Sequence, residues 1–193
     1  PYHAALGRAR AELGRFDEAV TAVKAALSLD PSLPGLHSDL AKLYEKSGRK
    51  EEMLQALEAS VKAKPDDSQA LQKIAVTYDA LGKDDEAIQA IERALESDPA
   101  KYDLRGRLAA LYKKAGRVRE AATELQRIED AGHADGDVLH ELTNARLELG
   151  EPTEALRIAR RAVEVAPEDE RAWRTLASLS AELAFFREAA EAY

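Results

Sequence analysis

The chain has 193 residues, of which 45% are hydrophobic and 33% are charged, and its formal net charge is −8. A chain this acidic repels phosphate backbones, so nucleic-acid binding is not expected. The chain has no run of about 18 apolar residues, so membrane insertion is not expected either. The lack of cysteine excludes disulfides, thiolate metal sites and cysteine nucleophiles. The sequence begins at Pro1 and reads as a fragment, which leaves the compartment open, with the cytoplasm slightly favoured.

The sequence repeats with a period of 34 residues from end to end. A glycine recurs at this interval, at Gly14, Gly48, Gly82, Gly116 and Gly150. A proline keeps the same interval at Pro31, Pro65, Pro99 and Pro167, and an alanine at Ala19, Ala87, Ala121, Ala155 and Ala189. Because no insertion interrupts the register, we predict one repeat array over 1–193, in which each unit buries its apolar face against its neighbours.

Residues 68–99 show what one period encodes. Apolar residues recur at helical spacing in two stripes, Leu71, Ile74, Ala75, Tyr78 and Leu81, then Ala87, Ile88, Ile91, Ala94 and Leu95. Gly82 between the stripes suits a left-handed helix end, and Asp84 and Asp85 suit the cap and the first turn of the next helix. Pro99 ends the unit because proline cannot continue a helix. Each repeat is therefore predicted to be two antiparallel helices of about 12–14 residues. No segment alternates with period two, so the predicted fold class is all-α.

This pattern resembles the tetratricopeptide repeat, a 34-residue helix–turn–helix unit. The matching signature residues, in chain order, are Leu6, Gly7, Ala19, Ala26, Pro31, Leu40, Tyr44, Pro65, Tyr78, Ala87, Ala94, Pro99, Leu108, Tyr112, Ala121, Leu142, Ala155, Ala162, Pro167, Trp173, Leu176 and Ala189. In that frame the repeats are 1–33, 34–67, 68–101, 102–135, 136–169 and a partial 170–193. The resemblance implies a right-handed α-solenoid superhelix of about five and a half tetratricopeptide repeats. Small residues such as Gly7, facing Ala19, would let paired helices approach closely.

The sequence shows no convergent set of catalytic groups. It contains no Walker loop, no His-Glu-x-x-His and no dinucleotide glycine pattern. Segment 130–141 holds His133, Asp135, Asp137, His140 and Glu141, but their spacing fits neither a zinc helix nor a calcium loop. These residues are better interpreted as the end of one helix and the start of the next. We therefore predict that the chain is not an enzyme and has no catalytic residue, no metal site and no cofactor.

The resemblance places function on a surface, because in tetratricopeptide proteins the first helix of each repeat lines a concave groove that binds peptides or protein segments. At those positions the middle repeats carry a basic strip with one apolar member: Lys42, Lys46, Lys73, Val76, Arg107, Lys113 and Lys114. We predict that this strip binds an acidic segment or a free carboxylate. The alternative is an ordinary solvated face, since acidic residues are interleaved with the strip. The family's chaperone-binding carboxylate clamp is not expected, because it needs asparagines and the chain has only Asn144.

The leading hypothesis is a scaffold for protein–protein interaction that binds a peptide or a segment of a partner protein. One alternative is self-assembly through open repeat ends, end to end at the C-terminal repeat. There several apolar residues would lack part of their cover because no polar capping helix follows: Trp173, Leu176, Leu179, Leu183, Phe185, Phe186 and Ala189. A second alternative is a substrate-recruiting appendage of a larger enzyme. The sequence does not name the partner.

Overall fold

The computed structural model describes residues 2–31, 33, 35–65 and 67–183. These residues form eleven α-helices and no strand, which confirms the all-α prediction. The chain divides into two compact units, Pro1–Pro99 and Ala100–Tyr193. Unit 1 contains α1 (Tyr2–Glu12), α2 (Phe16–Leu29), α3 (Leu36–Lys46), α4 (Lys50–Ala63), α5 (Ser68–Ala80) and α6 (Asp84–Ser97). Unit 2 contains α7 (Tyr102–Lys114), α8 (Val118–Asp130), α9 (Gly136–Glu148), α10 (Pro152–Val165) and α11 (Glu170–Glu182).

Each of the first five predicted repeats folds as a pair of helices, and the described part of the sixth contributes α11. The odd-numbered helix of a pair, here called the first helix, packs on the even-numbered second helix that follows it. Within each unit the second helix then packs on the first helix of the next repeat. Only three residues separate the two helices of a pair, so the chain reverses sharply and the pair runs antiparallel.

The periodic glycine ends the first helix of each repeat. Gly48 has a φ of 71° and Gly82 a φ of 70°, in the left-handed region that residues with a Cβ avoid. The amide of the residue after the glycine then donates a hydrogen bond back to a carbonyl near the end of the first helix. The Arg49 amide donates to the Tyr44 carbonyl at 2.9 Å, and the Lys83 amide donates to the Tyr78 carbonyl at 2.9 Å. The predicted role of these glycines as helix ends is confirmed.

Small residues set the distance between paired helices. Ala19 and Ala87 are fully buried in their second helices. A Cβ added to Gly7 would lie 2.7 Å from the Val23 side chain and 3.3 Å from the Ala19 carbonyl oxygen. Such a contact is too short, so α1 and α2 pack this closely because residue 7 has no side chain. The predicted contact between Gly7 and Ala19 is confirmed.

The capping prediction for the second helices is wrong in part. Asp84 and Asp85 lie in the first turn of α6, but its N-cap is Lys83, and no side chain caps the helix. Side-chain caps occur instead on first helices, where Asp67 accepts from the Ala70 amide and Asp135 from the Val138 amide. The N-caps of α2, α4, α6 and α8 are all arginine or lysine, whose side chains only donate hydrogen bonds and therefore cannot cap the helix amides.

The basic N-cap residue is held by an aromatic ring and a carboxylate. The Arg49 guanidinium lies 4.8 Å from the centre of the Tyr44 ring and pairs with Glu52. Two repeats later, Arg117 lies 4.3 Å from the Tyr112 ring and pairs with Glu120. The hydrogen bond from Arg49 lowers the pKa of Glu52 below its usual value. The turn is therefore stabilised by side chains that face solvent.

The C-terminal repeat is described only through residue 183. In α11, Leu176 and Leu179 are buried against Ala155, Leu156 and Ala159 of α10. The prediction that they lack cover is therefore wrong for these two leucines, and Trp173 and Leu183 are partly buried against the same cluster. The remaining residues of the prediction, Phe185, Phe186 and Ala189, lie outside the described residues. End-to-end self-association through this repeat therefore stays a prediction.

Candidate functional site

The first helices of unit 1 border a cleft of about 680 Å³ between α3 and α5, here called the α3/α5 cleft. Its lining comes from the end of α3, the following turn, the start of α4 and one side of α5: Tyr44, Glu45, Gly48, Arg49, Lys50, Met53, Gln69, Gln72, Lys73, Val76, Thr77 and Ala80. On α5, Gln69, Lys73 and Val76 follow one another at spacings of three or four residues, which places them on one helix face. Val76 is 39% exposed there, between charged and amide side chains.

An ion pair bridges the α3/α5 cleft. The Lys73 ammonium on α5 donates to the Glu45 carboxylate on α3 at 2.6 Å, and both side chains are about half exposed. The predicted strip thus contains a cation that the fold already compensates. Sequence reasoning placed Glu45 beside the strip, but it did not foresee the bond, because Glu45 and Lys73 are 28 residues apart.

Two lysines of the strip also line a cleft on the α1 side of α3. Lys42 and Lys46 line a smaller cleft of about 160 Å³ between α1 and α3, whose apolar lining includes Val23 and Leu43. Both lysines are exposed and stand one helical turn apart. Within the described part of the chain, neither ammonium group has a hydrogen bond or an ion pair. The uncompensated positive charge of unit 1's first-helix face is therefore concentrated on α3.

Unit 2 has a cleft of about 450 Å³ between α7 and α9, here called the α7/α9 cleft. It is lined by Gly106, Ala109, Ala110, Lys113, Lys114, Val118, Ala121, Leu125, Glu141, Ala145 and Glu148. The Lys113 ammonium donates to the Glu141 carboxylate at 2.5 Å. Arg107 is exposed on α7 but does not line this cleft.

The structure places the predicted strip along several clefts. Lys42 and Lys46 share one cleft, Lys73 and Val76 share another, and Lys113 and Lys114 share the cleft of unit 2. Lys42 and Lys73 also line a small pocket of about 90 Å³ between α3 and α5, so the unit 1 part of the strip is continuous. Sequence reasoning missed Gly106 as a lining residue. A glycine in the middle of a helical apolar pattern was the signal that could have found it.

The acidic and histidine-rich segment 130–141 serves the ends of helices. Asp135 caps α9, and Asp137 pairs with Arg171 at 2.8 Å. The His133 ring stacks on the Tyr102 ring with 4.1 Å between their centres. Among the described residues, no group of three or more potential metal ligands comes together. The interpretation of this segment as the end of one helix and the start of the next is confirmed, with Asp137 in the first turn of α9.

None of the helices described is both long enough and apolar enough to cross a bilayer.

Comparison with known families identifies the class of protein. The tetratricopeptide repeat model matches residues 10–76 and 80–143, and a second tetratricopeptide repeat model matches residues 136–179. The chain belongs to the tetratricopeptide repeat family, a class of protein-interaction scaffolds that are generally not enzymes. No curated protein shows significant sequence similarity to the chain.

Solved structures share the fold at low sequence identity. A crystal structure of MamA superimposes with a TM-score of 0.67 at 20% identity, covering 86% of this chain and 91% of MamA. YrrB, described as a tetratricopeptide protein with an unusual peptide-binding site, gives 0.64 at 16% identity, covering 89% of each chain. The pilF protein of Pseudomonas aeruginosa gives 0.60 at 14% identity, covering 99% of this chain and 87% of its own. These similarities support the tetratricopeptide fold.

Proposed function

We propose that the chain is an interaction scaffold whose first-helix faces bind a peptide or an extended segment of a partner protein. The observation that carries this proposal is the α3/α5 cleft. It combines an exposed apolar residue, Val76, with amide side chains from Gln69 and Gln72 and with the ion pair of Lys73. An apolar anchor point among a few polar groups is the usual composition of a ligand site. The amides can hydrogen-bond a peptide backbone.

A peptide is the ligand class that the fold relatives support best. YrrB, which shares the fold, is described as having a peptide-binding site. We propose that the same class of ligand binds here, and that the repeats over 1–193 act as one array.

The preferred segment is acidic. Lys42 and Lys46 are exposed cations without a described partner, on the first helix that separates two clefts of unit 1. Lys73 can add to them if an incoming carboxylate displaces Glu45. Because these contacts stay partly exposed, each is expected to contribute about 0.2–1 kcal/mol. Binding should therefore weaken as the salt concentration rises.

The proposal is tested with peptides selected on the full chain from a phage-displayed random library. Val76→Glu should weaken their binding by more than about tenfold, because it puts a charge where an apolar contact forms. Val165→Glu is the matched control, since Val165 is also 39% exposed but lies on the second helix α10. Equal loss in both variants, or no selected peptide at all, would refute the proposal.

The acidic preference has its own control. Lys42→Glu with Lys46→Glu should weaken binding of the selected peptides. Lys62→Glu with Arg93→Glu changes the net charge equally on second helices and should leave binding nearly unchanged. If both pairs weaken binding alike, the effect is one of net charge, and the lysines of α3 are not the site.

A further inference from the structure

We propose that the α7/α9 cleft of unit 2 takes a large, uncharged apolar side chain of the bound segment, seated against Gly106. This inference rests on the proposed function, since it names the side-chain class that one of the first-helix clefts selects. The fold does not require a glycine at position 106, and this residue lines the cleft.

Gly106 lies in the interior of α7, where glycine is less favourable to the helix than alanine. Other glycines of the chain have a structural reason. Gly7 has no room for a Cβ, and Gly48 adopts a left-handed conformation. Gly106 has neither reason, because its backbone is not left-handed and a Cβ there would meet no atom within 4 Å beyond its own helix backbone. The folded chain therefore gains nothing from glycine at this position, and the space that the missing side chain leaves open is the cleft.

The interior of the cleft is apolar. Ala110 lies on its α7 side, and Val118 and Leu125 contribute from α8. The volume of about 450 Å³ falls within the range of about 300–1,000 Å³ that is typical of ligand pockets. The α3/α5 cleft differs, since Gln69 and Gln72 put polar groups into its lining.

The charges at the cleft compensate each other. Lys113 donates to Glu141 across the mouth. The remaining charged lining residues, Lys114 and Glu148, also carry opposite charges, so the lining as a whole is neutral. A charged side chain that entered would lose hydration without meeting an excess of opposite charge. A leucine, methionine or phenylalanine side chain would lose only its unfavourable contact with water.

The test uses peptides selected on the full chain from a phage-displayed random library, with Gly106→Leu kept out of the selection. Leucine at this position would occupy the cleft. Selected peptides should include a set that shares one large apolar residue, and replacing that residue by aspartate should abolish their binding. Gly106→Leu should weaken the peptides of this set by at least about tenfold. Thr123→Leu is the control, because it adds an exposed leucine to α8 outside the cleft lining.

Gly106→Ala separates the binding effect from a folding effect. Alanine favours the helix and has room for its Cβ, so Tm should rise by about 2–4 °C while peptide binding weakens. A variant that is more stable yet binds less well cannot be explained by misfolding.

The outcomes distinguish the two proposals. If selected peptides all bind Gly106→Leu as tightly as the original chain, or if the shared residue is charged, this inference is overturned while the proposed function stands. If the full chain selects no peptide, both are overturned.

Discussion

Lys73 of α5 donates to Glu45 of α3, and two repeat lengths further along the sequence Lys113 of α7 donates to Glu141 of α9. The same two positions of the repeat are thus joined in both units, with the signs of the charges exchanged. In these two places a cation and an anion form the bond whichever of the two helices carries the cation. In both units the bond lies over a cleft between successive first helices.

Exchanging the charges in unit 1 tests this equivalence. Lys73→Glu alone puts two carboxylates face to face and should lower the free energy of unfolding by up to about 1 kcal/mol, because the pair is half exposed. Adding Glu45→Lys recreates the arrangement of unit 2 and should restore most of the loss. Urea unfolding of the single and double variants measures both steps. Equal destabilisation in the two variants would show that the positions are not coupled.

The contact between paired helices gives the second prediction. Ala87 is fully buried where α6 packs on α5, so Ala87→Trp should destabilise the protein by about 1–3 kcal/mol through overpacking. Ala63→Trp, at the exposed end of α4, is the control and should have little effect. Thermal melts followed by circular dichroism compare the two. An unchanged melting curve for Ala87→Trp would contradict the packing described for this pair.

A buried ion pair in unit 2 provides the third prediction. The Arg105 and Glu124 side chains are only 12% and 8% exposed, and Arg105 donates to Glu124 at 2.6 Å. Glu124 also pairs with the more exposed Arg127. Glu124→Ala would remove that pair and leave the largely buried Arg105 guanidinium with less compensation, and it should cost about 3–5 kcal/mol. One repeat later, buried Leu139 and Ile158 occupy the same two positions.

The double variant Arg105→Leu with Glu124→Ile copies the residues of that later repeat and should therefore recover most of the stability lost in Glu124→Ala. Denaturant unfolding of both proteins measures the difference. If the double variant is as unstable as the single one, the ion pair is required by its surroundings and is not exchangeable for an apolar pair.

The fourth prediction is a pH dependence at Tyr78. The Tyr78 hydroxyl donates to Glu58 at 2.5 Å, and this bond raises the pKa of Tyr78 from 10.0 to about 12. Because the folded-state pKa lies above the unfolded one, the stabilisation is complete below pH 10 and is lost as pH rises toward 12. Glu58→Gln should move the titration of Tyr78 back toward 10, as followed by the ultraviolet absorbance of tyrosinate. Tyr78→Phe assigns the signal, and a titration that Glu58→Gln leaves in place would contradict the bond.

The periodic residues made the fold predictable from sequence. Glycine recurs at the position of Gly48 because a left-handed helix end favours it, and alanine recurs at the position of Ala87 because a close helix contact requires a small side chain. Each requirement selects one residue type, so it can be read from the sequence. The core position held by Arg105 is an exception. The helical pattern of α7 predicts an apolar residue at this position, and the sequence does not show that Glu124 neutralises the charge of Arg105.

The candidate site was less predictable for a physical reason. Long charged side chains reach across helices, so whether Lys73 or Lys42 is available depends on neighbours far away in sequence. Lys73 meets Glu45, whereas Lys42 has no described partner. The sequence shows Gly106 only as a glycine inside a helical apolar pattern, and the structure adds that the space beside it is open.

The most direct test of the central claim, that the first-helix faces bind the partner segment, is a nuclear magnetic resonance titration. The ¹⁵N-labelled full chain would be titrated with a library-selected peptide, and the shifts of assigned amides would be mapped by residue. The account predicts that the largest shifts fall on α3 and α5, around Lys42, Lys46 and Val76, and on α7 around Gly106. Shifts concentrated on the second helices α4, α6, α8 and α10, with the first helices unchanged, would contradict it.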